Sequence, residues 1–169
     1  MVSRPTIFGS LENYDKGGVE PINADPKHYV FSNVFEVASK SRPYEKVCVG
    51  KNMKYVIEAL RAEGTSPWFS AAHDEAALCM DGDVEVHYVK PHVEFGQDLV
   101  PPGKEGAIRL EGEPEGTKMG WVRIRRGHMA LLPGGSAYQF RSPGPGVLLI
   151  QTIQGDLTVE RWAEICQTA

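Results

Sequence analysis

Short apolar runs separated by glycine- and proline-marked breaks fill most of this chain. Val84, Val86 and Tyr88 alternate with Glu85, His87 and Val89, the period of two that turns one side of a strand toward a core. Pro67 to Ala72 and Ala76 to Met80 are runs of strand length. The Asp81-Gly82-Asp83 turn signal between the second run and the alternating segment predicts a hairpin. Strand texture returns at Trp121 to Arg125, Met129 to Leu132, Tyr138 to Arg141 and Val147 to Ile153. Tyr55 to Arg61 fits a short strand or a helix turn, and periodicity does not decide between them. Thr158 to Cys166 has a different spacing. Val159, Trp162, Ala163 and Cys166 fall at i, i+3, i+4 and i+7, with Thr158 placed to cap, which predicts a short amphipathic C-terminal helix.

The ends and the middle differ from this texture. Residues 1–45 read as an irregular N-terminal arm, interrupted by Gly9, Gly17, Gly18, Pro21, Pro26 and Pro43. Ile7, Phe8, Tyr29, Val30, Phe31, Val34, Phe35 and Val37 make it too apolar for free disorder. The arm is therefore expected to pack, on its own domain or on a partner. Residues 46–169 form the remaining domain. Within it, 91–118 holds Pro91, Pro101, Pro102 and Pro114 among glycines and charges, and reads as a long, largely polar insertion between strands.

Composition narrows the class. The chain has 169 residues, one domain's worth, and its 18 glycines and 12 prolines favour turns and short strands over a helical bundle. An all-β sandwich or barrel is expected. The net charge of −4 argues against a nucleic-acid partner, and Arg123, Arg125 and Arg126 read as a solvated face. No run approaches the roughly 18 apolar residues of a membrane span, so no membrane partner is expected. Met1 to Asn13 lacks the apolar stretch of a signal peptide. Cys48, Cys79 and Cys166 fit neither a disulfide framework nor a zinc pattern, and are expected as unpaired thiols in a reducing cytoplasm.

Two segments carry candidate chemistry. Glu75 is followed after six residues by Gly82, and Gly127 after five residues by Pro133-Gly134-Gly135. Together they resemble the two cupin motifs, E-x6-G and G-x5-P-x-G. The resemblance implies a cupin-like β-barrel or jelly roll, with Gly82 and Gly135 at tight turns of positive φ. A metal-binding cupin carries an H-x-H pair shortly before the Glu and a third His after the second motif. Here the upstream positions fall among Trp68, Phe69, Ser70 and Ala71, and the downstream position is Tyr138. Only Glu75 remains of four ligands, and one carboxylate does not hold Fe(II) or Zn(II) tightly. An alternative is a His73/Glu75/His87 site, with His73 and Glu75 sharing a strand face at i, i+2 and His87 joining from a paired strand. The plainer reading is that His73 and Glu75 hydrogen-bond each other or a neighbouring strand. Trp68, Trp121 and Tyr138 are candidates to line the barrel, as core or as a ligand platform. Trp68, His73, Glu75 and Tyr138 stand as candidate binding residues, and no residue is assigned a catalytic role. No G-x-S-x-G elbow occurs, and Gly134-Gly135-Ser136 precedes a strand rather than a helix, unlike a phosphate loop.

Beyond the motifs, Gly50-Lys-Asn-Met-Lys-Tyr-Val-Ile-Glu-Ala-Leu-Arg-Ala-Glu-Gly64 and Ser66-Pro-Trp-Phe-Ser-Ala-Ala-His-Asp-Glu75 resemble the small subunit of two-subunit hydroquinone 1,2-dioxygenases. The length and the arm fit the same family. The resemblance implies a cupin-like partner in a hetero-oligomer. It also implies a larger subunit that carries non-haem Fe(II) and opens the ring of hydroquinone with O2 in bacterial aromatic degradation. It places no cofactor in this chain. Two other functions stay open: a metal-free cupin that binds a small molecule in its barrel, and a self-sufficient metal cupin using His73, Glu75 and His87.

Overall fold

The structure is a computed structural model and describes residues 9–15, 33–92, 99–161 and 164–165. Among these residues one helix, α1 (Val34–Ser39), precedes ten strands. They are β1 (Lys46–Asn52), β2 (Tyr55–Thr65), β3 (Phe69–Ala71), β4 (Glu75–Asp81), β5 (Asp83–Pro91), β6 (Ala107–Arg109), β7 (Gly116–Arg125), β8 (Met129–Leu132), β9 (Ala137–Ile153) and β10 (Thr158–Val159). The expected all-β, cupin-like architecture is what forms.

The long strand β9 organises the molecule. Its first part, Ala137 to Arg141, pairs with β3 and β5, while Val147 to Ile153 pairs with β2 and β4. β1 extends one layer beyond β2, β8 extends it beyond β4, and β7 extends the other layer beyond β5. The sheet thus curls on itself around Leu60, Ala77, Cys79, Val84, Val86, Ile124, Leu132, Phe140, Leu148 and Ile150. Alternation follows from this closure. On β4, Glu75, Ala77 and Cys79 face inward, and Ala76 and Leu78 face out.

The predicted hairpin at Asp81-Gly82-Asp83 does not form. β4 and β5 pair with β9 and not with each other. The Asp-Gly segment is instead a bend in one continuous path running antiparallel to β9. Gly82 has φ +84, and a Cβ there would lie 2.8 Å from Gly146 Cα. Two backbones touch where both strands turn from one layer to the other. An Asp-Gly step supplies the positive φ of a reversal or of a bend, and only the partner strand decides which.

Three further expectations change. Thr158 and Val159 are strand β10, parallel to Lys46 and Val47 of β1, so the C-terminal helix does not begin at Thr158. Pairing to an open strand edge overrides local spacing there. Glu164 and Ile165 are helical, whereas Trp162, Ala163 and Cys166 lie outside the described residues. The 91–118 segment contains β6 and the start of β7 rather than loop alone. β6 is three residues long and the early part of β7 is exposed, so neither shows an apolar period. The arm contains α1, capped where the Asn33 side chain accepts Phe35 N–H at 2.9 Å.

The described part of the arm packs on its own domain. Val37 sits with Val47, Val49, Ala59 and Ile165. Phe35 and Ala38 sit against Val147, with Leu11 and Tyr14 alongside. Leu11 N–H donates to Asp81 Oδ2 at 2.9 Å, fixing the arm at the same bend. Ile7, Phe8, Tyr29, Val30 and Phe31 lie outside the described residues.

Candidate functional site

The inward position that opens β4 belongs to Glu75, and its register neighbours bring polar groups to that end of the barrel. Tyr138 enters from β9, paired to Phe69 of β3. Its hydroxyl donates to Glu75 Oε2 at 2.5 Å. Lys46 and Glu58, from β1 and β2, form an ion pair at 3.2 Å with both side chains 2% exposed. Glu58 Oε1 accepts from the Thr158 hydroxyl at 2.7 Å, so β10 closes this end. The Lys46 ammonium lies 5.2 Å from the Phe69 ring centroid, and the Phe69 and Tyr138 rings are 5.9 Å apart. The result is one buried cluster, Lys46, Glu58, Phe69, Glu75 and Tyr138, with the half-buried Thr158 at its edge.

Electrostatics follow from burial. Desolvation on its own would lower the Lys46 pKa, but the charges of Glu58 and Glu75, with the Glu58 hydrogen bond, outweigh it and raise the value above that of an ordinary lysine. The Tyr138 phenol is pushed well above its usual range, first by burial and then by the Glu75 charge. Tyr138 therefore acts as a hydrogen-bond donor and keeps its proton at neutral pH. Glu75 Oε1 is buried without a hydrogen-bond partner.

The structure brings two of the four candidate binding residues into contact, Glu75 and Tyr138. His73 lies before β4, not on it, so it shares no strand face with Glu75. Ile153 N–H donates to its Nε2 at 3.3 Å, and Thr152 Oγ1 is 3.0 Å from the same nitrogen. The partner is the neighbouring strand, not Glu75. A groove of about 320 Å³ passes over this point, lined by Tyr55, His73, Glu75, Leu131 and Thr152 among others. Trp68 is buried in a separate apolar cluster with Val89 and Ala137, against Leu99 and Leu110. Trp121 does not line the barrel. It is 53% exposed on β7, where it stacks on His87 and lies under Arg123.

His87 faces away from the interior, because Val84 and Val86 on the same strand fill the core. Its Nε2 is 3.0 Å from Glu85 Oε2. His73, Glu75 and His87 consequently do not converge. Among the described residues no group of three or more His, Cys, Asp or Glu is placed to hold a metal ion. At the cupin ligand positions Trp68, Phe69 and Ala71 offer no ligand atoms, Ser70 offers a neutral hydroxyl that is a poor ligand for Fe(II), and the Tyr138 hydroxyl donates to Glu75, so no imidazole joins Glu75 there.

Other expectations find their places. Arg123, Arg125 and Arg126 pair with Asp83, Glu85 and Asp81 on the surface. Cys48 and Cys79 are free and buried, with burial pushing the Cys79 thiol up to about 11. Cys166 lies outside the described residues. Gly82 and Gly135 have φ of +84 and +73, as the motif implied.

Lys46 and Glu58 were not legible as site residues. The signal available was the alternation Val56, Glu58, Leu60 and Ala62, which puts a carboxylate in an inward register once 55–65 is a strand. A second cavity, about 380 Å³, opens beside Lys46 and Phe69 and is bordered by Tyr44, Arg109 and Leu157.

No protein-family model matches the chain, and no curated protein matches it. Solved structures do. A chain of hydroquinone 1,2-dioxygenase PnpCD, solved with Cd2+ and 4-hydroxybenzonitrile, is 52% identical, covers 99% of both chains and superposes with a TM-score of 0.85. A chain of hydroquinone 1,2-dioxygenase from Sphingomonas sp. TTNP3, solved with 4-hydroxybenzoate, is 56% identical over 98% of this chain and 99% of its own, with a TM-score of 0.87. A longer chain from the PnpCD structure with Fe3+ aligns at 12% identity and a TM-score of 0.56, over 84% of this chain and 37% of its own length. That last likeness shows the fold alone. Identity above one half from end to end shows more: the chain belongs to the family of cupin-fold chains of hydroquinone 1,2-dioxygenases.

Proposed function

We propose that this chain is the small, non-catalytic subunit of a non-haem Fe(II) dioxygenase that opens the hydroquinone ring with O2, in cytoplasmic degradation of aromatic compounds. The iron belongs to a larger partner subunit, and the aromatic substrate is met through the complex. The observation that carries this reading is end-to-end identity of 52–56% to chains of hydroquinone 1,2-dioxygenases. It is supported by cupin ligand positions that hold Trp68 and Tyr138 where histidines would stand. The outer face of β2 and β8 adds a second support. Tyr55 and Ile57 on β2 and Met129 and Leu131 on β8 are 55%, 43%, 67% and 59% exposed there, on either side of β9 and β4 with the exposed Gln151 between them, a largely apolar face of the kind that assemblies cover.

Native mass spectrometry on the tagged chain, drawn from cells that make its larger partner, tests the proposal. The expected result is a hetero-oligomer whose iron leaves with the larger chain. A homo-oligomer carrying its own iron would overturn it. A small-molecule-binding cupin is the second reading, favoured by the cavity beside Lys46 and Phe69. A ligand-dependent rise in Tm with no partner present would mark that function.

A further inference from the structure

The cavity beside Lys46 is walled by segments far apart in the chain, and its volume of about 380 Å³ falls within the roughly 300–1,000 Å³ of small-molecule sites. Pro43, Pro67, Phe69, Leu157 and Val159 make its apolar wall. Three cations, Arg42, Lys46 and Arg109, border it against one carboxylate, Glu45. The Lys46 charge is met by Glu58 at 3.2 Å. Glu45 is held by Arg161 at 2.7 Å and reaches the Arg42 guanidinium only at 3.5 Å. The Arg109 guanidinium has no hydrogen bond or ion pair among the described residues. Two guanidiniums therefore stand beside an apolar wall with little to neutralise them, in a chain of net charge −4. Their placement is built into the fold. Arg109 lies directly opposite Phe69 in the antiparallel β3–β6 pair, so the two side chains share a face with Cβ atoms about 4.5–5.5 Å apart. Tyr44 has a φ of +58, a region that a bulky residue rarely adopts. Its N–H donates to Arg61 O at 2.9 Å and its hydroxyl to Gly64 O at 2.6 Å. These bonds hold the turn that sets Arg42 and Glu45 at the rim.

We propose that this cavity binds a small organic carboxylate, with Arg109 and Arg42 taking the carboxylate at the mouth and the proline, leucine and valine wall enclosing its apolar body. Guanidinium matches carboxylate in charge and in geometry, and a pair of charge-assisted hydrogen bonds to it is strong. An inorganic anion leaves the wall unfilled, and a neutral ring leaves the guanidiniums unanswered. The proposal rests on the cavity that favours the small-molecule reading, and it holds equally for a subunit within a larger assembly.

The test is isothermal titration of the full chain with benzoate, benzamide and sulfate. Benzoate is expected to bind. Benzamide has the same shape without the charge, and sulfate has the charge without the apolar body, so each is expected to bind at least about tenfold more weakly. Arg109→Met keeps an apolar stem and removes the charge. It is expected to weaken benzoate at least about tenfold and to leave Tm unchanged, because the residue is exposed. Arg42→Met, also at an exposed position, is the second variant. Absence of benzoate binding, benzamide binding as tightly as benzoate, or a benzoate affinity untouched by both arginine variants would each overturn the proposal. Sulfate binding as tightly as benzoate would overturn it too, leaving a bare anion site. Native mass spectrometry with the larger chain reads the subunit role separately, so failure of one reading is not failure of the other.

Discussion

The Tyr138 hydroxyl donates to Glu75 Oε2 at 2.5 Å, inside the barrel, across 63 residues of sequence. Both partners are buried, and the other Glu75 oxygen has no hydrogen bond to compensate for a loss. Tyr138→Phe removes the donor while keeping the ring against Phe69 and Phe140. The expected cost is about 1–3 kcal/mol, a fall in Tm of roughly 2–10 °C for a chain of this size. An unchanged Tm would mean the contact carries no stability.

Gly82 meets Gly146 where the two long paths bend together. Gly82→Ala forces a left-handed φ on a residue with a side chain and puts its Cβ 2.8 Å from backbone. A loss of about 1–3 kcal/mol is expected, read as a lower urea midpoint at unchanged m. Gly135 has a similar φ, but a Cβ there meets nothing within 4 Å. Gly135→Ala should therefore cost less, about 1 kcal/mol.

His73 is engaged by Thr152 and Ile153. His73→Ala is expected to leave the iron content of the assembled dioxygenase intact, checked by metal analysis of the purified complex. Loss of iron would reveal a ligand contributed by this chain.

Arg161 grips Glu45 with two nitrogens, at 3.2 and 2.7 Å, and ties the segment after β10 to the segment before β1. The Arg161 hydrogen bond is the main cause holding the Glu45 carboxyl below its ordinary range. A depressed carboxylate contributes stability above its unfolded value near about 4.3 and loses it as pH falls through the folded value. Glu45→Gln is thus expected to lower the unfolding free energy slightly at pH 7, by under about 1 kcal/mol, read as a small fall in Tm. The difference from the parent should vanish at strongly acidic pH. A difference that grew on acidification would contradict the assigned sign.

Leu131 projects outward on β8 and is 59% exposed. Leu131→Asp should leave the Tm of the isolated chain nearly unchanged, since nothing buried is disturbed. If the largely apolar face that Leu131 shares with Tyr55 and Ile57 meets the larger subunit, co-purification should weaken. Full recovery of the complex would move the contact elsewhere on the barrel.

The amino-acid sequence by itself determined the fold class and the family. Glycine-marked breaks, alternating runs and the paired E-x6-G and G-x5-P-x-G spacings depend only on local chemistry: a positive φ at Gly82 or an inward period of two needs no distant partner. It also determined that the cupin ligand positions carry Trp68 and Tyr138. Only the tertiary structure decided what those positions do. The Asp81-Gly82-Asp83 signal became a bend because β9 offered an edge to both flanking strands. Thr158 joined β1 because that edge was open. Lys46, Glu58, Glu75 and Tyr138 come from four strands and meet only when the sheet curls. A buried charge is stable only beside its partner, and which residues become partners is a property of register and closure rather than of neighbouring positions in the chain.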